Sequence, residues 1–173
     1  MTARGNRGSL AGTAFAAATV LAAMALLSLP ACTRQSAPSA VESLTAKAAV
    51  DSLWSGYAHA SDEKDPEGFA KLFTDDAVVD YSGAPTARGR DAITTFLISL
   101  YSHIDPTGLR VEPDETKVSG STAVQSGAFR EHYIDQDKER TEYGRFVLVA
   151  ERGDKDMWRI HRLVAIVDST TTD

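Results

Sequence analysis

The chain has 173 residues, 18 Lys and Arg against 24 Asp and Glu, a formal charge of −6 and a single cysteine. One cysteine excludes an internal disulfide framework and a multi-cysteine metal site. An acidic chain without a Lys/Arg-rich run is a poor partner for nucleic acid or for an anionic lipid surface.

Arg4 and Arg7 precede an uncharged apolar run from Leu10 to Leu29, and small Ala31 precedes Cys32, after which the chain turns polar. Charged start, apolar middle and small residue at the cut describe a secretory signal over residues 1–31. An uncharged run of this length also suits an uncleaved membrane anchor. Loss of residues 1–31 takes the charge from −6 to −8 and leaves 142 residues, enough for one domain with one core. Residues 32–42 form a tether, of which Thr33 to Ala40 reaches at most ~25–30 Å when extended.

The domain is expected over residues 43–168. From Val41 to Ala60 the apolar residues Leu44, Val50, Leu53, Trp54 and Tyr57 recur at helical spacing. Asp65-Pro66 reads as an N-cap followed by proline at the first helical position, opening a short helix to Phe73. Thr74-Asp75-Asp76 is expected to turn, Ala77 to Tyr81 to form a strand, and Gly89-Arg90-Asp91 to open a third helix carrying Ile93, Phe96, Leu97, Leu100 and Tyr101 on one face. Four strands follow, at Leu109–Val118, Ala123–Ile134, Glu142–Glu151 and Trp158–Val167, with turns near Gly120, Asp137 and Gly153. Residues 169–173 have nothing to bury and are expected to form a disordered tail. Three helices and a mostly antiparallel sheet make an α+β fold. A sheet strongly curved around the long helix leaves a cone, whose interior is either filled or a pocket.

Leu29-Pro30-Ala31-Cys32 resembles a bacterial lipobox, and this resemblance implies acylation of Cys32 and an extracytoplasmic domain lipid-anchored to the cell membrane. A second resemblance covers most of residues 43–167. It is carried by Tyr57-x-x-Ala60, Asp62, Lys64-Asp65, the run Phe69-x-x-Leu72-Phe73-Thr74-Asp75-Asp76-Ala77-Val78-Val79-Asp80-Tyr81, Gly89-Arg90-Asp91-Ala92-Ile93 and Met157-Trp158-Arg159-Ile160. These residues resemble the NTF2-like superfamily and its SnoaL-like branch, which implies a cone of three N-terminal helices packed in a curved sheet.

The superfamily includes isomerases, dehydratases, cyclases and proteins that only bind, so the residues must choose among them. Similarity to ketosteroid isomerases places Tyr57 at an oxyanion-hole position and Tyr81 where those enzymes need an acid. A phenol of ordinary pKa about 10 is a poor base at neutral pH. Similarity to the scytalone-dehydratase-like members implies Asp62, Tyr81, His103 and His132 as an acid–base set, with Ser61 where those proteins carry a tyrosine. In such a set a histidine moves the proton, an aspartate fixes its tautomer and a tyrosine steadies developing charge. Each has a plainer alternative. Asp62 suits a polar helix end, His103 suits the negative end of a helix dipole, and His132 lines the cone only if Ala128 and Ile134 mark the buried face.

Trp54, Tyr57, Phe96 and Phe129 are the expected ligand-contacting aromatics. No metal or organic cofactor is implied. The outer sheet face, with Arg145, Val147, Val149 and Leu163, is the candidate homodimer surface. Three readings stay open: a tethered domain binding a small, partly apolar or ring-containing molecule, a cofactor-independent lyase or isomerase, and a cell-envelope interaction module.

Overall fold

Ser39 starts the fold. Its hydroxyl accepts from the Glu42 backbone N–H at 3.2 Å while the Glu42 carboxylate accepts from the Ser39 N–H at 2.8 Å, a reciprocal cap. The helix it opens, α1, runs Ala40–Asp62. The computed structural model describes residues 39–172. The expected signal segment, Cys32 and most of the tether lie outside the described residues. Among the described residues no helix is long and apolar enough to cross a membrane.

Asp65 caps α2 (Pro66–Leu72) by accepting from the Glu67 N–H at 3.0 Å. The chain continues through β1 (Phe73–Tyr81), β2 (Ala87–Arg88), α3 (Arg90–Tyr101), β3 (Asp105–Ser119), β4 (Thr122–Asp135), β5 (Lys138–Arg152) and β6 (Trp158–Thr172). The six strands form one sheet in the order β2-β1-β6-β5-β4-β3, antiparallel except for the parallel β1–β6 pair. The α+β architecture expected from the sequence is present, with three helices against a curled sheet.

The core lies between the helices and the concave face. Val50, Leu53, Tyr57 and Ala60 of α1 meet Phe69 of α2, Ile93, Leu97 and Tyr101 of α3, and Phe146, Leu148 and Ile160 of the sheet. Gly56 lets Leu72 approach: a β-carbon there would lie 2.9 Å from Leu72 Cδ2.

Three segments depart from expectation, each for a local reason. Thr74-Asp75-Asp76 is not a free turn but an irregular part of β1, where the partner on β6 advances only from Ile160 to Arg162 while β1 advances from Phe73 to Val78. Strand β6 carries an extra residue, His161, because Val149 pairs with Arg162 and Ala150 with Ile160. That bulge inverts the alternation beyond it, so Leu163 and Ala165 face the core and Leu163 leaves the outer face expected for it. Arg145, Val147 and Val149 remain outside. Residues 169–172 are not a loose tail: they extend β6 and pair with β5, Ser169 with Tyr143 and Thr172 with Arg140.

Curling requires close backbone contacts where the registers slip. Gly144 sits at one such slip, facing Val167. A β-carbon there would stand 2.4 Å from the Ile166 carbonyl oxygen and 2.5 Å from the Phe129 ring. Gly144→Ala is therefore expected to lower stability by about 1–3 kcal/mol, read by denaturant unfolding. A cost within error would show that Phe129 and β6 yield freely.

Candidate functional site

Between α1, α3 and the concave face lies a cavity walled by Trp54, Tyr57, Tyr81, Tyr101, Phe129 and Phe146, with Val79, Leu97, Leu109, Leu163 and Ala165 filling between them. One carboxyl group, Glu131, enters this wall. The cavity volume is about 30 Å³, room for one or two waters. Trp54 and Leu109 also wall a larger groove of about 410 Å³ between α1 and β3, so these two side chains separate the cavity from the outer groove.

Each wall residue is held by its element. Trp54 crosses the Phe146 ring edge-on at 4.7 Å and donates from Nε1 to Gln125 Oε1 at 2.7 Å. Gln125, fully buried, donates in turn to Asp51 at 2.7 Å and Thr116 at 3.0 Å, tying α1 to β4 and β3. Tyr57 packs edge-on to Phe69, which stacks on Tyr101.

The polar end of the cavity comes from β4 and β5. Glu131 and Glu142 are direct cross-strand partners. The Tyr101 hydroxyl donates to Glu131 Oε1 at 3.1 Å. The Tyr81 and Tyr133 hydroxyls donate to Glu142 at 2.7 Å and 3.1 Å. Burial pushes the Glu131 carboxyl up to about 7; the Tyr101 hydrogen bond lowers it, and the charges of Glu142 and Asp62 raise it further. Burial also raises the Tyr57, Tyr81 and Tyr101 phenols, so all three stay protonated through the neutral range. Ser61 is buried beside this cluster, and its hydroxyl has no hydrogen-bond partner.

A carboxyl poised near neutrality in an apolar cavity both accepts and returns protons at pH 7. The residue types found here are those of general acid–base chemistry, with a tyrosine hydroxyl beside the acid. Among the described residues no group of three His, Cys, Asp or Glu side chains could hold a metal ion.

The expected set Asp62, Tyr81, His103 and His132 is not brought together. Tyr81 lines the cavity. Asp62 is exposed at the end of α1 and reaches Glu131 only through its charge. His103 is exposed beyond α3, its Nδ1 2.7 Å from the Ser99 carbonyl oxygen, the plainer helix-end role. His132 stands on the opposite face of β4 from Glu131, against Thr141 Oγ1 at 2.8 Å. The buried face of β4 is Ala123, Gln125, Phe129, Glu131 and Tyr133, not the phase of Ala128 and Ile134. Of the four aromatics expected around a ligand, Trp54, Tyr57 and Phe129 line the cavity, while Phe96 packs against Tyr81 at 6.3 Å without entering its wall. Glu131 was signalled only by sharing its phase with Phe129 and Tyr133, two aromatic residues that outweigh Ala128 and Ile134 as markers of a core face.

The SnoaL-like domain model matches residues 42–164. The chain belongs to the SnoaL-like family. No functionally curated protein shows a significant match. Among solved structures, the SnoaL-like domain is similar to a ketosteroid isomerase-like protein from Erwinia carotovora atroseptica at 18% identity and TM-score 0.63, over 70% of this chain and 95% of that one. It is similar to hexachlorocyclohexane dehydrochlorinase LinA-type3 from Novosphingobium barchaimii at 19% identity and TM-score 0.62, over 78% of this chain and 94% of that one. A candidate scytalone dehydratase from Novosphingobium aromaticivorans matches at 20% identity and TM-score 0.61, over 75% and 89% of the two chains. At these identities the likeness is one of fold.

The raised carboxyl of Glu131 has a consequence for stability. Its value is about 7 in the folded state against an ordinary 4.5. Between those values the folded state binds more protons than the unfolded one, so this group's contribution to stability falls as pH rises from 4.5 to 7 and stays low above. Glu131→Gln keeps an acceptor for Tyr101 and removes the charge. It is expected to gain up to roughly 3 kcal/mol over wild type at about pH 8, with the gain vanishing below pH 4.5. Paired thermal melts across this range check it, and a difference independent of pH would overturn the assignment.

Proposed function

We propose that this SnoaL-like domain binds a small, partly apolar molecule between α1, α3 and the sheet, with Glu131 as the group that meets its polar end. One observation carries the reading: a single buried carboxyl faces an otherwise aromatic and aliphatic cavity. The small volume means that a ligand larger than water displaces a wall, and Trp54 with Leu109 is the wall backed by open space. A thermal-shift screen of the full chain against hydroxylated ring ketones, polyketide-like aromatics and sterols tests this. A hit that stabilises wild type and is weakened about tenfold or more in Glu131→Gln, the weight of one hydrogen bond to a charged group, is the expected result. Hits indifferent to Glu131, or none, count against the site.

Proton transfer is the second reading, favoured by the position of the Glu131 carboxyl near neutrality. In that case Glu131 takes a proton from carbon and returns it to a leaving or rearranging group, and the protonated Tyr57 hydroxyl steadies the charge that develops. Asp62, His103 and His132 have no contact with the reacting space in this scheme. Turnover of any binding compound should rise with pH through about 7, following ionisation of Glu131, and be lost in Glu131→Gln.

The proposal extends to location. The segment ending at Cys32 supports export and lipid attachment, which hold the domain outside the cytoplasm at a membrane. Each buried acyl CH₂ contributes about 0.8 kcal/mol to such an anchor. Cys32→Ser is expected to abolish incorporation of a labelled fatty acid into the protein without altering its melting behaviour; labelling that persists in the variant, or is absent from the wild type, would overturn the lipid anchor.

A further inference from the structure

The cavity's hydrogen-bonding inventory is one-sided. Three of its four strong donors are already spent: Trp54 Nε1 on Gln125, the Tyr101 hydroxyl on Glu131 and the Tyr81 hydroxyl on Glu142, which leaves the Tyr57 hydroxyl. What remains facing a ligand is chiefly acceptor: Glu131 Oε2, which carries no protein hydrogen bond, the lone pairs of the phenol oxygens, and the negative faces of the rings. Among the described residues, no Lys, Arg or His side chain enters the wall. Arg140, near the same end of β5, is held by Asp135 at 3.0 Å. The charges that reach Glu131 are those of Glu142 and Asp62, both negative.

An anionic ligand would therefore sit against like charge with only the Tyr57 hydroxyl to receive it, and a neutral acceptor would find that one partner. A cation meets the reverse: a free carboxylate oxygen, two further negative charges behind it, and aromatic faces that attract positive charge. We propose that the cavity selects a small organic cation, a protonated amine on a slender apolar body, with its N–H groups on Glu131 and its hydrocarbon among Trp54, Tyr57 and Phe129. This deepens the ligand-binding reading and rests on it. The amine nitrogen and Glu131 Oε2 form a charge-assisted pair shielded from water, and the displaced Trp54–Leu109 wall admits the body.

Three probes of one length and three charges separate the two claims: n-butylammonium, n-butanol and butyrate, titrated into the isotopically labelled full chain at about pH 8, where both Glu131 and the amine are ionised. The Trp54 indole N–H resonance reports on the cavity. The expected order is butylammonium tighter than butanol by about tenfold or more, with butyrate weakest. In Glu131→Gln the preference for the cation should collapse to near unity. Butanol or butyrate binding as well as the amine would overturn the cation proposal and leave the cavity reading standing. A cation preference unchanged in Glu131→Gln would overturn it as well, by placing the charge elsewhere. No movement of the Trp54 resonance with any probe would remove both. The wild-type ranking decides the matter by itself if the variant does not fold.

Discussion

A sheet that must wrap a 23-residue helix cannot stay flat, and everything at the site depends on where it bends. The bends lie at register slips. Asp114 is the extra residue where β3 passes Gly127, His161 where β6 passes Val149 and Ala150, and Asp168 where β6 passes Tyr143 and Gly144. Each slip turns the strand and re-aims the side chains beyond it. The glycines permit the contacts: at Gly127 a β-carbon would fall 2.3 Å from the Glu112 carbonyl oxygen. Asp168, pushed outward, is held by a two-pronged Arg145 contact at 2.8 and 2.9 Å, which also keeps its carboxyl below the ordinary range.

The same bends explain what could be read in the sequence. Helices announced themselves because α1 and α3 carry apolar stripes, although Leu44 at the start of the α1 stripe lies exposed and Ala46 takes the buried phase, and because Asp65-Pro66 is a local start signal. Hairpin positions were equally legible: Gln136 and Asp137 both take positive φ in the two-residue turn joining β4 and β5, the geometry such a tight turn demands. Facing was harder. An alternating strand has two faces, and one inserted residue exchanges them, so uninterrupted alternation from Trp158 points Leu163 outward whereas the His161 bulge turns it inward. For β4 no bulge intervenes: its buried phase is that of Phe129 and Tyr133, not of Ala128 and Ile134, so the condition for His132 to line the cone is not met. Glu131 was hidden because a carboxylate within a strand ordinarily marks the solvent side.

Burying that carboxylate is costly, and the surroundings reduce the cost only in part. Tyr101 supplies one hydrogen bond, while Glu142 and Asp62 add repulsion. Glu142, by contrast, receives two phenol hydroxyls. Two acids directly opposite each other thus differ in environment: Glu142 accepts from two phenol hydroxyls, and Glu131 accepts from one while burial pushes its carboxyl up to about 7. Structure alone would favour an apolar residue at position 131. A destabilising group retained in a cavity wall fits a site in which stability is traded against chemistry or recognition.

Strand β6 is the last of the described strands in chain order yet lies inside the sheet, with β1 on one side and β5 on the other. During synthesis, β1 therefore has no long partner until β6 emerges, and the helices have only part of a surface to close upon. The hairpins of β3, β4 and β5 can form from neighbouring sequence, whereas the parallel β1–β6 pairing spans nearly the whole domain and forms late. Thr170 and Thr171, opposite Glu142 and Thr141, complete the edge of the acidic end only then. Leu163 and Ala165 of β6 belong to the cavity wall, so the cavity closes only once β6 is in place, and a chain emerging without it would leave the apolar faces of the helices and of β5 open to water.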